Sequence, residues 1–250
     1  MSEIVAYIES LELPAPRSRG PAEAAPPPPA FTAGPQGFTI GSQLTEFTPQ
    51  VAASVRPAVS NSLLLAQLAS DKANPGAQDP QAWFASFNTV LGRVGWMPVG
   101  GLITSQQVSD RNAELHKAII PVLAAALGPA AAVGSIIISV LQGLQSMNED
   151  SPWITLFQRK SQKANVAQFG LNFVDGGDGG GASLKSVYFG LTATKVLTQV
   201  LFVKLSDANA TVRSEQRDAM LSSAAVTAAQ DSLQAKVGAH IVDNIAQIEI

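Results

Sequence analysis

Side chains that commonly perform catalysis are scarce in this chain of 250 residues. It contains no cysteine, which excludes a thiolate nucleophile, a disulfide, a cysteine-ligated metal site and S-acylation. The two histidines, His116 and His240, lack HExxH spacing and any obvious partner ligand, so they give no case for zinc. We expect each to be a packed or surface histidine. A Ser/His/Asp triad is assembled in space and stays open, although no GxSxG motif is present.

The most distinctive local motif is the glycine-rich run 175–181, which carries Asp175 and Asp178. Its carboxylate and carbonyl oxygens would suit Ca²⁺. A single copy without EF-hand spacing favours instead a hairpin loop between two strands. No Gly-Lys-Ser/Thr follows, so the run is not a phosphate-binding loop. The remaining carboxylates form no recognisable acid/base pair. We therefore predict no cofactor and no metal, and an enzyme is only the third alternative.

Composition narrows the class of partner. Only 14% of the residues are charged, against about 25% in an average soluble domain. The formal net charge is −3 and no basic run occurs, so nucleic acid is not an expected partner. The first residues carry Glu3, Glu9 and Glu12 and no basic region, so they are not a Sec-type signal peptide. The location stays unknown: cytoplasmic, or exported by a non-classical route.

One segment, residues 118–148, contains no charged residue over 31 positions. It is long enough to span a bilayer if continuous, but Gly128–Pro129 predicts two helical halves or one kinked helix. Small residues recur four apart at Ala124, Gly128 and Ala132, which would also suit a homo-oligomer contact. Two interpretations stay open: a hydrophobic hairpin that can enter a membrane, or the central helix of a soluble domain. The candidate membrane or oligomer contacts are Ile119, Ile120, Val122, Leu123, Leu127, Val133, Ile136, Ile137, Ile138, Val140 and Leu141.

The N-terminal region divides into two pieces. Residues 1–13 predict a short amphipathic helix, and residues 14–37, with eight prolines, predict a flexible linker. Such a tethered helix could dock into a partner assembly, or it could pack on its own domain. The candidate docking residues are Ile4, Val5, Ile8 and Leu11.

Residues 38–250 are predicted to form a single α+β domain. Residues 42–73 look helical, and Asp79–Pro80 is a favourable start for the next helix. Alternation predicts strands at 169–173, 187–193 and 211–220, the last as an exposed edge, and an apolar run predicts a buried strand at 197–205. A helix over 223–245 and a strand at 248–250 complete the chain. The expected fold places helices on one face of a four- to five-stranded antiparallel meander, around a long central hydrophobic helix or helical hairpin.

Four blocks carry a resemblance: NSLLLAQLASDKA (61–73), WFASFNTVLGRVGW (83–96), SPWITLFQRKSQ (151–162) and LTQVLFVKLSDANATVRS (197–214). Together they resemble a pattern in uncharacterised bacterial proteins, with helices, a small antiparallel sheet and a C-terminal helix. A resemblance to virulence-factor or secreted-effector proteins is weaker. Neither resemblance assigns a functional residue.

Two functional hypotheses follow. In the first, a non-enzymatic bacterial effector or toxin-like protein acts through association of residues 118–148 with membrane lipid. In the second, a soluble cargo or structural protein is docked into a larger protein assembly by its N-terminal peptide and Pro-rich linker.

Overall fold

The computed structural model describes residues 2–18, 27–76, 79–99, 105–107 and 113–249 as a mixed α+β fold. The strands are β1 (Gln36–Ile40), β2 (Gln43–Phe47), β3 (Trp96–Pro98), β4 (Ser105–Gln107), β5 (Gln162–Lys163), β6 (Val166–Gly176), β7 (Ala182–Thr192), β8 (Thr211–Leu221) and β9 (Ile245–Gln247). The helices are α1 (Glu3–Ser10), α2 (Arg56–Ala73), α3 (Pro80–Arg93), α4 (Leu115–Leu127), α5 (Pro129–Gly134), α6 (Ile136–Gly143), α7 (Pro152–Ser161), α8 (Ser223–Val237) and α9 (Ile241–Asn244).

The sheet is larger than predicted and is not purely antiparallel. Its strand order is β3-β8-β7-β6-β2-β1-β9, with β4 beside β8 and β5 beside β6. The predicted antiparallel meander is its centre, formed by the long strands β6, β7 and β8. The parallel pair β2–β6 joins this meander to a hairpin of β1 and β2. Strand β2 lies within the range 42–73 that the sequence predicted to be helical, of which only the part from Arg56 onward is a helix. The hairpin turn needs Gly41, whose φ is +60° and whose Cβ position would collide with Gln67.

Helices cover both faces of the sheet, so the prediction that they lie on one face was wrong. On the α2 face, Leu184 and Tyr188 pack beneath α2, α3 and α8. On the α4 face, Phe169 and Phe189 stack with ring centroids 5.3 Å apart, beneath α4, α6 and α7. Both faces of β7 therefore contribute apolar residues to a core, which is why the sheet needs two covering layers.

The predicted long central hydrophobic helix or helical hairpin is instead three short helices, and the break predicted at Gly128–Pro129 is confirmed. Helix α4 ends before Gly128, whose φ of +82° and ψ of 161° are accessible essentially to glycine alone. Helix α6 starts anew after Ser135, whose side chain accepts a hydrogen bond from the Ile138 backbone N–H. Across the described part of the chain, no helix combines the length and the apolar character needed to cross a membrane. The helix that is surrounded on all sides is α2, which is buried throughout 58–70.

Several local predictions have clear outcomes. Asp79 caps α3 by accepting from the Gln81 backbone N–H, as predicted. The strand predicted at 197–205 is wrong, because this apolar run folds as turns that bury Leu201 and Leu205 against the α4 face. Strand β8 is not an exposed edge, since β3 and β4 pair along its outer side. The last predicted helix breaks after Val237, and the final strand, β9, comes a few residues earlier than expected.

The N-terminal helix forms and packs within the chain. Helix α1 lies against α8, where Ile8 is fully buried and Ile4, Val5 and Leu11 are half-buried. Strand β1 begins at residue 36, inside the range 14–37 that was predicted as a linker. Phe31, in the same range, packs against the core on the α2 face.

Candidate functional site

A cavity of about 710 Å³ opens on the α4 face, at the end of the sheet where β2 and β6 finish together. Because these two strands are parallel, Glu46 and Asp175 reach the same edge. The antiparallel neighbours bring Lys185, near the start of β7, and Asp218, near the end of β8, to that edge as well. A cavity of this volume is typical of a small-molecule site.

Residues from the uncharged segment form one wall of this cavity. Leu127, at the end of α4, together with Ala131 and Gly134 of α5, lines it. Helix α5 also turns an apolar side chain outward, since Val133 is 88% exposed. The breaks at either end of α5 thus lift one short apolar helix out of the core while α4 and α6 stay packed.

A second apolar element borders the same cavity. Val99, just after β3, lines it and is 45% exposed. Met97 is 57% exposed and lies opposite Met220, another lining residue, in the register of β3 and β8. The cavity mouth therefore has apolar side chains on two of its sides.

Glu46 fastens the uncharged segment to the sheet. The residue is 7% exposed, and its carboxylate accepts hydrogen bonds from Ser135 Oγ, at 2.8 Å, and from the Ile137 backbone N–H, at 3.1 Å. These donors lie at the first turn of α6, where a negative charge is favourable. The segment is therefore held by one buried carboxylate at the junction of α5 and α6.

The other charged groups of the cavity differ in how completely they are bonded. Lys185 Nζ donates to the Ala126 carbonyl at 3.0 Å, and Asp175 accepts from Thr48 Oγ1 at 2.5 Å. Asp218 Oδ1 is buried and accepts no hydrogen bond from the described residues. The lining thus holds three carboxylates against one ammonium group, and that ammonium group is already engaged.

The residues predicted to contact a membrane or a second copy occupy different environments. Ile120, Val122 and Leu127 are partly buried, and Val133 is exposed. The remaining candidates, Ile119, Leu123, Ile136, Ile137, Ile138, Val140 and Leu141, are buried. Val133, on α5, is therefore the exposed member of this set. No sequence pattern indicated this, because exposure depends on where the chain breaks.

Both histidines are packed side chains. His116 Nδ1 lies 2.9 Å from the Leu201 carbonyl oxygen, so this nitrogen donates the hydrogen bond. Its Nε2 lies 3.6 Å from Glu114, too far for a hydrogen bond. A hydrogen bond from Lys117 is the main cause that lowers the pKa of Glu114. Burial lowers the pKa of His240. Among the described residues, no group of three or more His, Asp or Glu side chains could hold a metal ion.

A smaller cavity of about 370 Å³ lies beside α3, where the ring centroids of Phe84 and Tyr188 are 5.0 Å apart. Gly190 faces it, and Arg213 and Glu215 complete its polar side. Burial raises the pKa of Tyr188 to about 12, so its phenol stays protonated at neutral pH. This hydroxyl is therefore a hydrogen-bonding group and not a base.

Comparison with known proteins adds little. A scan of protein-family models finds no match, and no curated protein matches the chain. Among solved structures, the chain is similar to one titled delta-endotoxin, with a TM-score of 0.41 and 16% identity over 84% of this chain and 91% of the other. A likeness at this level carries no argument about function.

Proposed function

We propose that this chain is a non-enzymatic, effector-like or toxin-like protein that acts by associating with membranes, and that α5 makes the first contact. The observation that carries this proposal is the exposure of Val133, at 88%, within a segment that has no charged residue from 118 to 148. An apolar side chain exposed there meets no charge penalty when it enters a lipid headgroup layer.

The surroundings of α5 support the same contact. Val99 borders the cavity beneath α5, and Met97 lies just before it on β3, so apolar side chains from the β3 region and from α5 are available to one surface. Helices α4 and α6 bury their apolar faces in the core, which leaves α5 as the part of the segment that can act without unfolding. This mode of association needs no membrane-spanning helix.

Vesicle flotation of substituted chains tests the proposal. Full burial of a valine side chain contributes about 1.5–3 kcal/mol, so Val133→Asp should weaken binding to phosphatidylcholine vesicles by at least about tenfold. Val196 provides a matched control, because it is also a valine, is 72% exposed and lies outside the uncharged segment. Val196→Asp should float as the unsubstituted chain does.

Two results would contradict the proposal: no flotation of the unsubstituted chain, or equal flotation of both variants. Ile137 is unsuitable for this test, because it is fully buried and a charge there would disturb the core. Val133 is therefore the position that tests the proposal.

A further inference from the structure

The cavity beneath α5 contains an incompletely bonded carboxylate. Asp218 Oδ1 is buried and receives no hydrogen bond within the described chain. Lys185 lies directly opposite in the register of β7 and β8, but its ammonium group donates to Ala126 instead. A buried carboxylate oxygen without a donor is unfavourable. Asp218 lines the cavity, so it contributes there a negative charge that no donor within the described chain neutralises.

The sign of the charge that this cavity favours follows from its lining. Glu46, Asp175 and Asp218 are acidic, and Lys185 is the single basic group among the lining residues. Glu46 and Asp175 accept hydrogen bonds from Ser135 and Thr48, whereas Asp218 Oδ1 receives none within the described chain. Because the carboxylates outnumber the ammonium group, the cavity favours a cationic ligand over an anionic one.

The rest of the lining is apolar. Leu127 and Ala131 form the wall beneath α5, and Phe173 and Met220 extend it along the sheet. Val99 continues this surface to the exposed mouth. A ligand that fits must therefore combine a cationic group with a hydrocarbon portion, and a volume of about 710 Å³ accommodates both.

We propose that this cavity binds one amphiphilic molecule whose ammonium group pairs with Asp218 and whose hydrocarbon chain lies against Leu127, Ala131 and Met220. The inference does not depend on vesicle association, because it concerns a single molecule taken up beneath α5. Val133 does not line the cavity, so the two proposals can fail separately.

Calorimetric titration of the full chain with decyltrimethylammonium, kept below its micelle concentration, tests this site. We expect saturable binding of one molecule, at least tenfold weaker binding of decyl sulfate, and no binding of tetramethylammonium alone. Equal affinity for the cationic and anionic surfactants would overturn the charge argument. Equal affinity for tetramethylammonium would overturn the role of the hydrocarbon chain.

Substitutions assign the binding to this cavity. Asp218→Asn should weaken decyltrimethylammonium binding at least tenfold, whereas Asp207→Asn, at an exposed carboxylate elsewhere, should leave it unchanged. Ala131→Phe, which fills the apolar half, provides a second route if Asp218→Asn folds poorly, and it should abolish binding. Val133→Asp should bind the surfactant as the unsubstituted chain does. Unchanged binding in both cavity variants would overturn the proposal.

Discussion

Removing the Glu46 carboxylate should loosen the attachment of the uncharged segment to the sheet. Glu46→Ala deletes the acceptor for Ser135 Oγ and for the Ile137 backbone N–H at the start of α6. Ser135 Oγ keeps one hydrogen bond in this variant, because it still accepts from the Ile138 backbone N–H. The Ile137 N–H, in contrast, makes no other hydrogen bond in the described chain, so it becomes a buried donor without a partner.

The magnitude follows from these two bonds. A hydrogen bond to a charged group contributes about 1.5–3 kcal/mol, and a buried unpaired donor costs about 1–3 kcal/mol. Removal of the carboxylate also relieves its own desolvation cost, which offsets part of the loss. We therefore expect Glu46→Ala to lower the free energy of unfolding by about 2–4 kcal/mol. Glu46→Gln keeps an acceptor oxygen but loses the charge, so its effect should be about 1 kcal/mol.

Urea unfolding followed by tryptophan fluorescence measures both variants, and hydrogen exchange at the Ile137 and Ile138 amides localises the change. Glu12 is exposed, so Glu12→Ala serves as the control and should stay within about 0.5 kcal/mol of the unsubstituted chain. If Glu46→Ala also stays within that range, the carboxylate does not hold α6 and the reasoning is refuted.

Three further predictions concern the helix break at Gly128, the buried phenol of Tyr188 and the N-terminal helix α1. Gly128→Ala should lower the free energy of unfolding by about 1–3 kcal/mol, because an alanine at this positive φ has a strained backbone. Thermal unfolding measures the change, and an unchanged midpoint would show that the backbone conformation at residue 128 does not require glycine. Burial raises the pKa of Tyr188 to about 12 from its ordinary 10.0, so the unfolded chain ionises first and stability should fall as pH rises through that interval. Tyr188→Phe should reduce that slope in urea titrations, and an identical slope would contradict the burial argument. Ile8→Ala should speed hydrogen exchange throughout α1, because Ile8 is its fully buried anchor; unchanged exchange would show that other contacts hold the helix.

Local signals in the sequence predicted local structure well. Asp79 and Pro80 place a cap and a compatible backbone next to each other, so the start of α3 needs no distant partner. The alternation in β6 and β7 likewise identifies strands, because every second side chain of each strand packs in the core on the α4 face. The failure at β2 has a physical cause: its polar residues Gln43 and Thr45 are buried and both contact Asn172, a partner far along the chain.

The candidate site was largely beyond prediction for the same reason. Glu46 and Ser135 are 89 residues apart in sequence, and nothing local marks them as partners. The uncharged segment was identified correctly as unusual, but the separate exposure of Val133 depends on breaks that end α4 and start α6. Asp218 and Lys185 meet only because β7 and β8 pair in one register.

Hydrogen exchange with and without phosphatidylcholine vesicles tests the central claim most directly, because it locates the contact on the full chain. The proposed function predicts slower exchange for α5 when vesicles are present, and no change for α1, whose anchor Ile8 is buried within the chain. Slower exchange confined to α1, with α5 unaffected, would contradict the account and would favour docking through the N-terminal helix.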